Sequence, residues 1–163
     1  MKNKWTDFLG KTWEFDDMGI AISNGTLIPP GGILYDGKYL VINQDPAVPI
    51  PGFMIITLKR HTNSFSLLTK EEKIEMDLNI SKEFTIVQED RCSHYHIWIF
   101  PDDNWLSDNF PRGIEKMREL FKVSKEKASK EIIEETLDIT KKIKLQLDEC
   151  KKIYGEKLFR KVI

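Results

Sequence analysis

Ser93-His94-Tyr95-His96-Ile97-Trp98-Ile99-Phe100 is the stretch on which the fold turns. Successive side chains of a strand point to opposite faces, so His94, His96 and Trp98 share one face while Tyr95, Ile97 and Ile99 share the other. Two of the three histidines in the chain therefore stand side by side. An imidazole works as nucleophile, acid or base near neutral pH, so such a pair on a rigid strand is a plausible reaction centre. A surface pair, or two core histidines satisfied by backbone carbonyls, fits the bare spacing equally well. A metal centre is a third option with little behind it in the sequence. His61 is distant, Cys92 and Cys150 lack a Cys-x-x-Cys companion, and no second cluster stands at ligand spacing, so no metal ligands are assigned.

Composition narrows the function classes. At 163 residues with 40% hydrophobic content, the chain has room for one compact domain with a true core and an appendage. A formal net charge of −1 removes any general attraction to nucleic-acid backbones or anionic membranes, so neither is expected as a partner. The apolar run Phe53–Ile56 is far too short to span a bilayer, and Met1 to Trp13 has no apolar stretch of signal-peptide length. Two cysteines without an evident pairing fit a reducing compartment. The expectation is a cytoplasmic protein.

Working outward from the histidine strand, Phe84-Thr85-Ile86-Val87-Gln88 is short and β-branched and reads as its neighbour, joined through Glu89 to Cys92. Thr69-Lys70-Glu71-Glu72 matches a capping box and opens a helix from about Lys70 to Ser81. Phe53 to Leu58 reads as a strand, preceded by the proline-rich loop Asp45 to Gly52. The first third reads as strands joined by tight turns, with Asn24-Gly25 and Asp36-Gly37 expected to supply the positive backbone angles of type I′ hairpins. Pro101 to Pro111 reads as a loop. From Gly113 the pattern becomes helical, with Ile114, Met117, Leu120 and Phe121 on one stripe and Ile132, Ile139, Ile143, Leu147, Cys150, Tyr154 and Leu158 on another. Such stripes are core or interface positions.

Taken together, Asp45-Pro-Ala-Val-Pro-Ile-Pro-Gly-Phe-Met-Ile-Ile-Thr-Leu-Lys-Arg-His61, the helix opening at Thr69, and the strand Ser93 to Phe100 resemble the histidine triad superfamily, over roughly Ile33 to Pro101. The resemblance implies an α+β fold: an antiparallel β-sheet with a packed helix in residues 1–112, followed by a C-terminal helical extension in residues 113–163. It implies nucleotide chemistry. In that family the signature is His-φ-His-φ-His-φ-φ, with φ hydrophobic, and the middle histidine attacks the α-phosphorus of a bound nucleotide. His96 matches that middle position and His94 the first, which helps orient the centre. Asp45 matches the acidic residue that accepts hydrogen bonds from the ribose.

Two positions depart from the pattern. Trp98 stands in place of the third histidine, and Phe53 stands where many members carry another histidine near the phosphate. A transferase branch of the superfamily also lacks histidine at the third position, so the departure is compatible with chemistry. Trp98 is expected to pack beneath His96 or shape the pocket. Val41 and Ile42 are expected to wall the base, since nucleotide pockets are largely apolar. Arg91 and Ser93 are candidate phosphate donors, with a solvent-exposed turn as the alternative for Arg91. Lys59, Arg60 and His61 have the look of a phosphate clamp, although the family's corresponding residues mostly serve structure. The implied activity is a nucleotide hydrolase or nucleotidyltransferase acting on a dinucleoside polyphosphate or nucleoside phosphoramidate. The alternative is a nucleotide-binding module or scaffold without catalysis. The resemblance further implies a homodimer and no cofactor beyond a divalent metal accompanying the substrate phosphates.

Overall fold

The computed structural model describes residues 2–79, 84–88, 94–101, 122, 124–126 and 128–159. A hairpin of β1 (Asn3–Thr6) and β2 (Thr12–Phe15) leads into a short helix, α1 (Met18–Ser23). Then come β3 (Ile33–Asp36), β4 (Leu40–Gln44), β5 (Met54–Leu58), a 3-10 turn at Phe65–Leu67 and α2 (Lys70–Asn79). The remaining elements are β6 (Phe84–Gln88), β7 (His96–Pro101) and the long helix α3 (Lys130–Phe159). Strands β3 to β7 form one antiparallel sheet in the order β3-β4-β5-β7-β6.

Alternation sorts the sheet into two faces. Leu40 and Ile42 of β4, Met54, Ile56 and Leu58 of β5, and Ile97 and Ile99 of β7 form one buried cluster. Met76 of α2 and, more peripherally, Ile143 and Leu147 of α3 cover it. The other face carries Val41, Asn43, Ile55, Thr57, His96 and Trp98, in the cross-strand rows Val41–Thr57–His96 and Asn43–Ile55–Trp98. Ala21 and Ile22 of α1 close over Val41 on this side, with Trp13 and Phe15 of the hairpin alongside. Both central strands are thus buried along their whole length.

The capping box forms as expected. The Thr69 hydroxyl accepts from the Glu72 amide at 3.2 Å, and the Glu72 carboxylate accepts from the Thr69 amide at 2.8 Å. Two turn expectations need correction. Asn24-Gly25 does not join two strands but ends α1, with Gly25 at φ +77 beyond the Asn24 cap. Asp36-Gly37 does join β3 to β4, yet Gly37 is not among the positive-φ glycines. Its lack of a side chain is required for another reason: a Cβ there would overlap the Glu75 carboxylate. Glu75 is fully buried and accepts from Lys38 N at 2.9 Å, Tyr39 N at 2.8 Å and the Tyr35 hydroxyl at 3.1 Å. One carboxylate therefore ties helix α2 to the β3–β4 turn.

The stripe on α3 is partly buried as expected at Ile132, Ile139, Ile143 and Leu147. Among its described side chains Thr136 and Thr140 are the two fully buried ones, each returning its hydroxyl to the helix backbone, at 2.7 and 2.6 Å. These small side chains let the helix approach closely, and the Thr140 hydroxyl lies 3.4 Å from Gln44 Oε1 on β4. The turn from Glu89 to Cys92, the segment from 102 to Pro111, and the stripe at Ile114, Met117, Leu120 and Phe121 lie outside the described residues, as do the side chains of Cys150, Tyr154 and Leu158.

Candidate functional site

His96 begins β7, opposite Thr57 on β5. Its Nδ1 lies 3.0 Å from the backbone carbonyl of His94. A carbonyl only accepts, so Nδ1 carries the hydrogen and Nε2 of the neutral ring keeps its lone pair. The ring is half-buried, with the Trp98 ring 5.8 Å away on the same face. Trp98 in turn meets Phe53 edge-on, with centroids 6.1 Å apart and planes at 87°. The two departures from the histidine triad pattern thus form one aromatic pair beside His96.

The His94 ring does something different from lining a pocket beside its neighbour. Nε2 donates to the Leu58 carbonyl at 2.8 Å, which turns Nδ1 toward Asp17. That atom is buried without a hydrogen-bond partner, although Asp17 Oδ1 lies 3.1 Å away, off the hydrogen-bonding line. Asp17 is the N-cap of α1 and accepts from Ile20 N at 3.0 Å. Its second oxygen meets His61 Nδ1 at 3.0 Å. Burial pushes the Asp17 carboxyl up, but the Ile20 amide and the two imidazoles outweigh it and hold the group below the usual carboxylate range. Helix α1 reaches His94 because position 19 is glycine: a Cβ there would stand 2.7 to 2.9 Å from three atoms of the His94 ring.

Asp17, His61 and His94 offer ligand atoms that all lie within 4.8 Å of one another. Zinc–nitrogen and zinc–oxygen bonds of about 2 Å set tetrahedral ligand separations slightly above 3 Å; Asp17 meets His94 through Oδ1 at 3.1 Å and His61 through Oδ2 at 3.0 Å. A buried imidazole nitrogen 3.1 Å from a carboxylate oxygen and outside hydrogen-bonding geometry is a contact that a cation, a proton or a metal ion, would resolve. The donor set fits zinc. The sequence, from which no metal ligands are assigned, separates Asp17, His61 and His94, and the packing of α1 on the sheet brings the three together.

Asp45 lies just beyond β4 and is buried. Its Oδ1 accepts from Ala47 N at 2.7 Å and Val48 N at 3.0 Å, closing the proline-rich loop on itself. Burial pushes its carboxyl up to about 7, against the two amides and the Lys125 charge, which pull it down. Val41 is on the His96 face and buried under α1. Ile42 is not: it belongs to the opposite face, in the core beneath α2, so it cannot wall the same pocket. Strict alternation separates neighbours in a strand, and that signal was available in the sequence. The Lys59-Arg60-His61 run is likewise engaged elsewhere. Lys59 pairs with Asp36 at 2.5 Å, Arg60 grips Glu72 with two bonds of 3.0 and 2.9 Å, and His61 meets Asp17. Arg91 and Ser93 lie outside the described residues.

Comparison with solved structures identifies the architecture. A zinc-bound histidine triad family protein from Mycobacterium smegmatis superposes with a TM-score of 0.54 at 16% identity, covering 83% of this chain and 97% of that one. The chain therefore has the histidine triad fold, an α+β arrangement of antiparallel sheet and helices. A HIT family protein from Bacillus anthracis aligns with a TM-score of 0.44 at 15% identity over 69% of this chain and 95% of that one. Diadenosine triphosphate hydrolase from Plasmodium falciparum, in complex with cyclomarin A, aligns at 0.34 and 20% identity over 77% and 84%. No protein-family model and no curated protein matches the sequence. Among the described residues, no helix is long and apolar enough to cross a membrane.

Proposed function

We propose that the protein is a nucleotide hydrolase or nucleotidyltransferase that acts at the α-phosphate of a dinucleoside polyphosphate or nucleoside phosphoramidate, with His96 as nucleophile. The observation that carries this is the hydrogen bond from His96 Nδ1 to the His94 carbonyl, which in the neutral ring leaves the lone pair on Nε2 for attack. In the first step Nε2 forms a bond to the α-phosphorus, and the phosphorus–oxygen or phosphorus–nitrogen bond to the leaving group breaks. The leaving group departs with the electron pair and takes a proton. Water, or an acceptor hydroxyl, then attacks phosphorus, breaks the bond to Nε2 and surrenders a proton. His94 acts on His96 through its backbone carbonyl, and Asp45 is the candidate ribose acceptor. Zinc held by Asp17, His61 and His94 would tie the start of α1 to the histidine strand and supply no step of the reaction.

A second reading, nucleotide binding without turnover, draws on the Phe53–Trp98 pair, which puts packing where the family pattern has proton-transfer groups. Release of nucleoside monophosphate by the wild type and His96→Ala separates the two, using diadenosine tetraphosphate, an adenosine phosphoramidate and a nucleotide sugar as substrates. Turnover abolished in His96→Ala supports the covalent route. No turnover by the wild type, with AMP still bound, favours the second reading. Residues 1–112 as the nucleotide-binding domain, residues 113–163 as its helical extension, and assembly as a homodimer complete the proposal; sedimentation equilibrium tests the last.

A further inference from the structure

Among the described residues three buried side-chain atoms have no hydrogen-bond partner: His94 Nδ1, the Thr62 hydroxyl and Asn43 Oδ1. The first belongs to the Asp17–His61–His94 cluster, and Thr62 adjoins that cluster in the chain. Asn43 is far from it along β4 and has no such explanation. Its side chain is completely buried, in the row Asn43–Ile55–Trp98, on the face that carries His96. Nδ2 donates to the Gln44 carbonyl at 2.8 Å. That bond fixes which end of the amide is which, because a flipped amide would set two carbonyl oxygens against each other. The other end is therefore an acceptor with two lone pairs, enclosed and unpaired.

Its position suits one role. Two strand spacings, about 10 Å, separate Asn43 from the Trp98 backbone beside His96, and two residues, about 7 Å, separate it from Asp45. A nucleotide with its phosphorus at His96 Nε2 and its ribose toward Asp45 has its base on the β4 side of this face. Val41 and Ile55, the flanking side chains there, are apolar, so a single polar atom among them sets orientation and selectivity. We infer that Asn43 is a specificity-determining residue of the nucleotide site, its side-chain carbonyl accepting a hydrogen bond from the exocyclic amino group of a nucleobase. The inference rests on the nucleotide reading above. An enclosed acceptor rejects a ligand that cannot donate to it, by roughly 10- to 100-fold.

The test is calorimetric binding of AMP, GMP and purine riboside 5′-monophosphate to the full-length wild type and to Asn43→Leu. The last nucleotide keeps the purine ring and has no N–H on its six-membered edge. The wild type is expected to bind AMP or GMP at least about 10-fold more tightly than the unsubstituted purine, and Asn43→Leu to bring the three within about 2-fold of one another. Equal binding of all three by the wild type, as a resident water on Oδ1 would produce, overturns the inference while leaving the nucleotide reading intact. So does discrimination that survives Asn43→Leu. Absence of binding by any nucleotide overturns both. Should Asn43→Leu fail to fold, the wild-type Asn43 side-chain 13Cγ resonance decides. It is expected to shift with the amino-bearing nucleotide and stay in place with the unsubstituted purine, and no difference between them refutes the assignment.

Discussion

Replacing Asp45 by asparagine should make the protein more stable, and increasingly so as the pH rises. The native carboxyl is pushed from an ordinary value of 3.8 up to about 7, burial being the largest cause. Between those two values the folded state holds a proton that the unfolded state has released. Stability then falls with rising pH, by up to about 1.4 kcal/mol per pH unit. Over the three-unit difference the cost of the buried carboxylate reaches about 4 kcal/mol above pH 8 and is about 1.7 kcal/mol at pH 5. Asparagine keeps a carbonyl to accept from Ala47 N and Val48 N, so the loop retains its two bonds while the titration disappears. Urea unfolding of wild type and Asp45→Asn from pH 5 to pH 8.5 should show the gap between them widen by about 3 kcal/mol, the variant being the more stable. A gap independent of pH, or a wild type that gains on the variant as pH rises, would refute the reasoning.

Zinc added to the metal-free protein should bind once at the Asp17–His61–His94 cluster. His61→Ala and Asp17→Ala are each expected to weaken it at least about 10-fold in competition with a chromophoric chelator, and unchanged affinity in both would remove the site. Gly19→Ala should be destabilising even though alanine is favoured over glycine in a helix by about 1 kcal/mol, because its Cβ meets the His94 ring at 2.7 to 2.9 Å. Overpacking of this kind costs roughly 1–3 kcal/mol, and a net gain in the midpoint of thermal unfolding would show that α1 can shift to make room. Glu75→Ala strands the amides of Lys38 and Tyr39. A loss of roughly 2–4 kcal/mol in chemical unfolding is expected, and a loss below about 1 kcal/mol would mean that water replaces the carboxylate.

What the sequence discloses about this fold follows from the range of its interactions. The histidine strand, its partner Phe84–Gln88 and the helix at Lys70 are fixed by alternation and by a capping box only four residues long, so they are legible locally. Helix α1 is not. It has six residues, begins Met18-Gly19, and is held by Asp17 at its N-cap and by packing of Gly19 on a ring 75 residues away. Asp17 at its start and Asn24-Gly25 at its end are its local signals, and the second reads equally as a hairpin turn. Gly37 shows the same limit in another form: the glycine is visible as a turn signal, but its reason, the Glu75 carboxylate, lies on a different element. The Asp17–His61–His94 cluster is the extreme case, since Asp17 and His61 are 44 residues apart and nothing in their spacing brings them together.

His94 connects the Asp17–His61 cluster to His96. Its ring makes no contact with His96: Nε2 is spent on Leu58, and Nδ1 faces Asp17 and the His61 side of the cluster. Its backbone carbonyl is what holds the His96 hydrogen on Nδ1. The bond from Nε2 to Leu58 and the packing of Gly19 on the ring fix the residue, and fixing the residue fixes the carbonyl that selects the His96 tautomer. The first histidine of the signature thus meets His96 through its main chain. A substitution that loosens its ring, at Asp17 or Gly19, should therefore reach His96 without touching it. This also gives α1 a purpose beyond covering Val41. Its N-cap and its glycine are the two features that bring the helix against His94, and both would be lost if the segment were the β-hairpin that its Asn24-Gly25 turn signal suggests.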